Sequence, residues 1–245
     1  PTRRSSDLLA KMFEMGAYFQ NLWEERKNRG EAPDLISRMI HSPMKDMSQF
    51  EYMGNLILLI VGGNDTTRNS MTGGVFAMMK KFPDQWETLK ANPDLVPSAV
   101  SEIIRWQTPL AHMRRTATAD AELFGHQIKK GDKLILWYIS ANRDEEVFTD
   151  PDKVILDREN ARRHLSFGYG IHRCVGARLA ELQIRVLLEE MAKRRLRVNV
   201  LTRHEKKDVL TQMKPPRYDL VLVEEDGAVR QALDAGIACF NVESE

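Results

Sequence analysis

Phe167-Gly168-Tyr169-Gly170-Ile171-His172-Arg173-Cys174-Val175-Gly176, continuing into Ala177-Arg178-Leu179-Ala180, is the stretch whose reading decides the fold. One cysteine sits among glycines just before a run with helical spacing, with a phenylalanine seven residues upstream and a histidine two upstream. Backbone N–H groups at a helix N-terminus favour negative charge, and glycines let a turn bring its own amides close to a sulfur. The pattern suits a thiolate held as a metal ligand. A lone loop cysteine is more often an inert small hydrophobe. The residues around this one reverse that weighting.

The ungapped FGxGxHxCxGxxLA pattern resembles the haem-binding signature of the cytochrome P450 family. That resemblance implies Cys174 as the thiolate ligand of a haem b iron. It implies Gly168 and Gly176 as cofactor-binding positions of the turn, Phe167 as a shield over the proximal sulfur, and His172 as a partner of a haem propionate. Arg115, in Arg115-Thr116-Ala117, corresponds to a second propionate-pairing position, with Arg114 the neighbouring alternative. The implied fold class is mainly α with small β-sheets (α+β), the C-terminal part of the family's fold, with the N-terminal half missing.

Composition bounds the remaining classes. With 245 residues, 42% hydrophobic and 29% charged, the chain reads as globular and soluble. Its net charge of +1, from 36 basic and 35 acidic residues, gives no global field for nucleic acid. Arg194-Arg195-Leu196-Arg197 reads as a solvated helix end. The longest apolar run, Leu56 to Val61, falls far short of the roughly 20 residues of a membrane span, and the N-terminus has no apolar signal core. Two cysteines, Cys174 and Cys239, make no disulfide framework, so the cytoplasm is the expected compartment.

Apolar residues at helical spacing predict helices over Leu9–Arg29 and Asp34–Ile40. Ser48 and Glu51 form a capping-box pattern opening a long helix from Ser48 to Lys81 that stops before Pro83. Asp84–Asn92 and Pro97–Gln107 follow as helices. Met113–Ile139 alternates around Gly125 and Gly131-Asp132, which predicts short strands. Asn142–Phe148 is expected as a brief helix, Pro151–His164 as a meander, Ala177–Lys193 as a helix and Val198–Leu201 as a strand. Pro1–Leu8, polar and fitting no helical stripe, is expected to be a non-native leader.

Gly62-Gly63-Asn64-Asp65-Thr66-Thr67 falls inside the long helix. Two adjacent glycines cost roughly 1 kcal/mol each relative to alanine, so a widened or kinked turn is expected there. For the glycines alone, a packing notch is the simpler reading. The segment resembles the family's oxygen-binding stretch, which implies that Gly62 and Gly63 make room over the iron, while Asp65 and Thr66 are the catalytic pair that deliver protons for O–O cleavage. Glu102 and Arg105 stand at i and i+3 and match the family's E-x-x-R motif; Arg158 matches the third member of that structural ion network. Met78, Met79 and Met113 read as packing residues rather than ligands, and Asp144, Glu145 and Glu146 as solvated charges.

Leu58–Ser70, Trp106–Thr116 and His164–Gly168 resemble one bacterial branch that hydroxylates alkanes and fatty acids at or near the terminal carbon. Leu110 to Met113 is expected to line the space above the haem. The implied reaction inserts one oxygen atom of O2 into an unactivated C–H bond of a small hydrophobic substrate. Electrons would come from a ferredoxin and an NADH-dependent ferredoxin reductase, with Arg173 and Arg178 steering the acidic donor or merely solubilising the surface. The haem-domain likeness spans residues 9–200. Residues 201–245 are expected as an atypical tail, fused or artefactual, because Asp226–Glu245 resembles a piece of diaminopimelate decarboxylase. Two alternatives stand beside the monooxygenase: a catalytically inert haem-binding fragment, and a pyridoxal-phosphate decarboxylase piece carried by that tail.

Overall fold

The computed structural model describes residues 3–202, 218–223 and 240–242; Cys239 and most of the decarboxylase-like stretch lie outside them. The chain divides into two compact units, Pro1–Gly62 and Gly63–Glu245.

In the first unit, α1 (Arg3–Lys27) and α2 (Leu35–Ile40) pack with the start of α3 (Gln49–Phe76). α1 begins six residues before its apolar stripe, taking in the polar opening that we expected to fit no helix. A nucleated helix gains one hydrogen bond per added residue, and arginine and leucine are good helix formers, so no apolar residue is needed at its start. Trp23, Met39, Ile40, Tyr52 and Leu56 are buried together. The Trp23 and Tyr52 rings meet edge-on at 4.4 Å, and the Tyr52 hydroxyl donates to the Phe19 carbonyl at 3.1 Å. Asp34 caps α2 by accepting from the Ser37 N–H. The expected capping box forms: the Glu51 N–H donates to Ser48 Oγ at 3.3 Å, and the Ser48 N–H donates to Glu51 Oε2 at 2.8 Å.

α3 stays α-helical through Gly62–Thr67, against the widening expected there. The π-type widening comes instead at Ala77–Lys81, where the Phe82 N–H donates to the Ala77 carbonyl at 2.8 Å and Pro83 lacks the N–H to continue the ladder.

In the second unit, α4 (Pro83–Ala91), α5 (Val96–Gln107) and α7 (Ala177–Lys193) bury Leu89, Ile103, Ile104, Ile184, Leu188 and Met191 in one core with Val75 and Met78. β1 (His112–Thr116) pairs antiparallel with β4 (Lys133–Trp137), placing Arg115 opposite Leu134. Between them, β2 (Ala121–Leu123) and β3 (His126–Ile128) form a hairpin. Its turn residues Phe124 and Gly125 both have positive φ, as a two-residue hairpin turn requires.

The brief helix expected at Asn142–Phe148 sits earlier, as α6 (Tyr138–Ala141). Asp144 explains the shift: its side chain accepts from the Glu146 N–H at 3.0 Å, a local turn that competes with a helix. β5 (Arg197–Thr202), β6 (Tyr218–Val223) and β7 (Phe240–Val242) form an antiparallel sheet in the order β5-β6-β7. Among the described residues, no helix is long and apolar enough to cross a membrane.

Candidate functional site

The site rests on a buried knot of charge at the end of α5. Glu102 and Arg105 are fully buried, and Arg158 is 8% exposed. Arg105 grips the Glu102 carboxylate with Nε at 2.7 Å and Nη2 at 2.8 Å; Arg158 Nε reaches both carboxylate oxygens at 3.1 and 3.0 Å. The remaining guanidinium hydrogens meet carbonyls of the meander: Arg105 donates to Asn142, Pro151 and Lys153, and Arg158 to Thr149 and Asp150. Phe148 packs 5.1 Å from the Arg105 guanidinium and 6.0 Å from that of Arg158. Glu102 and Arg105, matched by spacing, thus meet Arg158, matched by the family resemblance, and each charge is both paired and hydrogen-bonded.

Asn142, which sequence reasoning did not single out, ties this knot to the cysteine loop. Its amide donates to Thr108 Oγ1 at 2.9 Å and Ser166 Oγ at 2.8 Å, and its Oδ1 accepts from the Leu165 N–H at 2.7 Å. Ser166 Oγ donates in turn to the Ile104 carbonyl at 2.8 Å. Thr108 is held at φ 41°, capping α5.

From Ser166 the loop turns tightly. Gly168 is buried at φ 68°, a conformation costly for any side chain, and a Cβ there would sit 3.1 Å from the Tyr138 hydroxyl. The Cys174 N–H donates to the Phe167 carbonyl at 2.8 Å, closing the loop, and Gly176 caps α7. A Cβ on Gly176 would come 3.9 Å from Cys174 Sγ, an ordinary contact. Cys174 is an exposed free thiol just before the N-terminus of α7. Phe167 is half-buried, packs on the core and lies 5.4 Å from the His164 ring. Burial, then Arg173, then Arg105 depress the pKa of His164 from 6.5 to about 4, so its ring is neutral at physiological pH.

Beside this loop lies a cavity of about 470 Å³. Leu136, Trp137 and Ile171 line it, together with Gly168, His172 and Arg115. Arg115 lines it and Arg114 does not. Ile171 is 97% exposed and Val175 92%. Leu110 and Met113 are exposed too; Met78 is in the core and Met79 packs against it. An apolar wall, an arginine, a histidine and an exposed thiol fit a flat apolar macrocycle that carries carboxylates and needs one axial ligand.

On α3, Asp65 pairs with Arg68 at 2.6 Å, both side chains partly or largely in solvent. Thr66 is half-buried, whereas Thr67 is 8% exposed. A Cβ at Gly62 or Gly63 would meet nothing within 4 Å, so neither glycine is a packing notch. Asn69 Oδ1 is buried without a partner among the described residues.

The Cytochrome P450 family profile matches residues 83–223, past Val200, where we expected the likeness to end. Linalool 8-monooxygenase of Pseudomonas putida is 41% identical over 78% of this chain and 47% of its own length. A methyl-branched lipid omega-hydroxylase of Mycobacterium tuberculosis is 42% identical over 81% of the chain and 46% of its own. Among solved structures, cytochrome P450-153 from Novosphingobium aromaticivorans is 64% identical with a TM-score of 0.76, covering 82% of this chain and 50% of that one. CYP153D17 from a Sphingomonas species is 67% identical with a TM-score of 0.75, covering 79% and 48%. The chain spans about half the length of the relatives it matches.

Proposed function

The chain belongs to the cytochrome P450 family, and on that premise we propose that it is the haem-thiolate part of a monooxygenase that hydroxylates alkanes or fatty acids at the terminal carbon. The observation that carries this reading is the exposed Cys174 thiol on a loop closed by the Cys174 N–H···Phe167 bond, the same loop whose Gly168 and His172 line an apolar cavity with Arg115. Haem b, when bound, supplies the activation of dioxygen. The substrate R–H, O2, two electrons and two protons give R–OH and water.

This chain's own residues have separate tasks. Cys174 Sγ, at the N-terminus of α7, would be the side chain that holds the haem iron. Arg115 and His172 hold the cofactor's carboxylates. Leu110 and Met113, exposed after α5, offer apolar surface to an alkyl chain. Asp65, paired with Arg68 at 2.6 Å, and Thr66 would move protons. The ferredoxin, fed by an NADH-dependent reductase, docks by its acidic face on Arg173 and Arg178, both solvent-exposed.

The substrate class draws on the likeness of Leu58–Ser70, Trp106–Thr116 and His164–Gly168 to the alkane- and fatty-acid-hydroxylating branch. The printed name of the lipid omega-hydroxylase points to a chain end as well. The test is a spectral titration of the haem-loaded chain, followed by product analysis with octane, ferredoxin, reductase and NADH. Octane or lauric acid should shift the haem spectrum, and 1-octanol should accumulate. A shift with sterols but neither alkane nor fatty acid would overturn the substrate class. Haem binding with no product would favour the inert haem-binding alternative.

A further inference from the structure

A second cavity of about 470 Å³ lies between α5, the Ala161–His164 turn and α7, and its lining is unlike that of the first. Four arginines line it: Arg162, Arg173, Arg178 and Arg185. One carboxylate, Glu181, faces them and is already bound to Arg178 at 3.3 Å. Arg185 leans toward Glu189 at 3.5 Å. Arg162 and Arg173 have no carboxylate partner among the described residues.

Two uncharged polar groups share the lining with the apolar Pro97, Val100 and Leu182. Ser101 is 6% exposed, lines this cavity, and its hydroxyl has no hydrogen-bond partner among the described residues. His164 accepts the Ser166 N–H on Nδ1 at 3.3 Å, which fixes the other tautomer and leaves Nε2–H as a donor. Its depressed pKa reports the positive field of Arg173 and Arg105 as well as burial. A serine hydroxyl, a neutral ring donor and two guanidinium forks without a carboxylate partner therefore share one concavity.

We propose that this cavity is a binding site for a small polyanion of the pyrophosphate or phosphate-ester class. Guanidinium forks bind phosphate oxygens in pairs. The volume lies within the roughly 300–1,000 Å³ typical of small-molecule sites. A protein surface docking by its own carboxylates would meet the exposed arginines; the nearly buried Ser101 hydroxyl and the His164 ring suit a ligand small enough to enter. The site shares none of its lining with the cavity beside Cys174 and does not rest on the haem reading. Because it includes Arg173 and Arg178, its ligand would compete with an acidic electron donor.

The test is calorimetric titration of the full chain with sodium pyrophosphate at constant ionic strength, chloride balancing the salt. One saturable site per chain is expected, with a dissociation constant on the order of 0.1 mM or tighter. Arg162→Gln and Arg173→Gln should each weaken binding about tenfold, and Ser101→Ala about threefold. Arg194→Gln, the same charge change outside the cavity, should leave affinity within about twofold. Should Arg173→Gln fail to fold, the exposed Arg162→Gln carries the comparison. Heat that never saturates overturns the proposal. So does an equal loss in Arg194→Gln, which would mean a general charge effect. Binding of an acidic iron–sulfur protein with no pyrophosphate site would also overturn it, marking the face as a protein dock alone.

Discussion

Residues 164–176 have two ends with opposite surroundings. At one end, Leu165 and Ser166 are stitched to Asn142 and Ile104, and through them to the fully buried Glu102 and Arg105. At the other, Ile171, Cys174 and Val175 face solvent, and one backbone bond from Cys174 to Phe167 closes the turn. The knot satisfies its own charges and needs nothing further to be stable. The cysteine end presents a thiol and apolar side chains that have no protein function in packing. Stability and chemistry are thus assigned to opposite ends of the same loop, and substitutions should separate them.

The largest effect should come from Glu102→Leu, which strands two buried guanidinium groups. The loss should be ~3–5 kcal/mol in denaturant unfolding, and an unchanged midpoint would break the division between the two ends. Asn142→Leu comes next, at ~1–3 kcal/mol for each stranded partner; because Leu165 and Ser166 lose their anchor, haem affinity should fall with stability.

Smaller effects separate the two glycine pairs of α3. A Cβ at Gly74 would lie 2.6 Å from Ile103 Cγ2, so Gly74→Ala should destabilise by ~1–3 kcal/mol. Gly62→Ala meets open space and should stabilise the helix by up to about 1 kcal/mol while impairing oxygen chemistry. Equal stability effects at the two sites would contradict the assignment of one pair to packing and the other to the cofactor. A further effect concerns pH. Since the folded pKa of His164 is about 4 against an ordinary 6.5, the unfolded chain takes up the proton first as pH falls. Stability from this group is complete above pH 6.5 and is lost between 6.5 and about 4. His164→Gln should flatten that slope in urea unfolding measured across pH.

The local features were legible because they are local. The Ser48–Glu51 capping box and α7 at Ala177–Lys193 stand where spacing put them. Glu102 and Arg105 share a helical turn, so their pairing follows from geometry; Arg158 needed the family resemblance to join them. Asn142 was missed because its partners lie 23 to 34 positions away in the chain, beyond any periodic signal. Gly73 and Gly74 were missed for a related reason: what they make room for, Gln107 and Ile103, belongs to another helix. The widened turn was misplaced because two glycines weaken a helix without obliging it to change pitch, whereas Pro83 removes a donor outright.

The central claim is that Cys174 would hold the haem iron through its sulfur. The most direct test is the spectrum of the haem-loaded, reduced, carbon-monoxide-bound chain beside that of Cys174→Ser. The intact chain should show the red-shifted Soret band of a thiolate-ligated haem, and the serine variant should lose it while keeping its circular dichroism. The same red-shifted band in both proteins would show that another residue holds the iron.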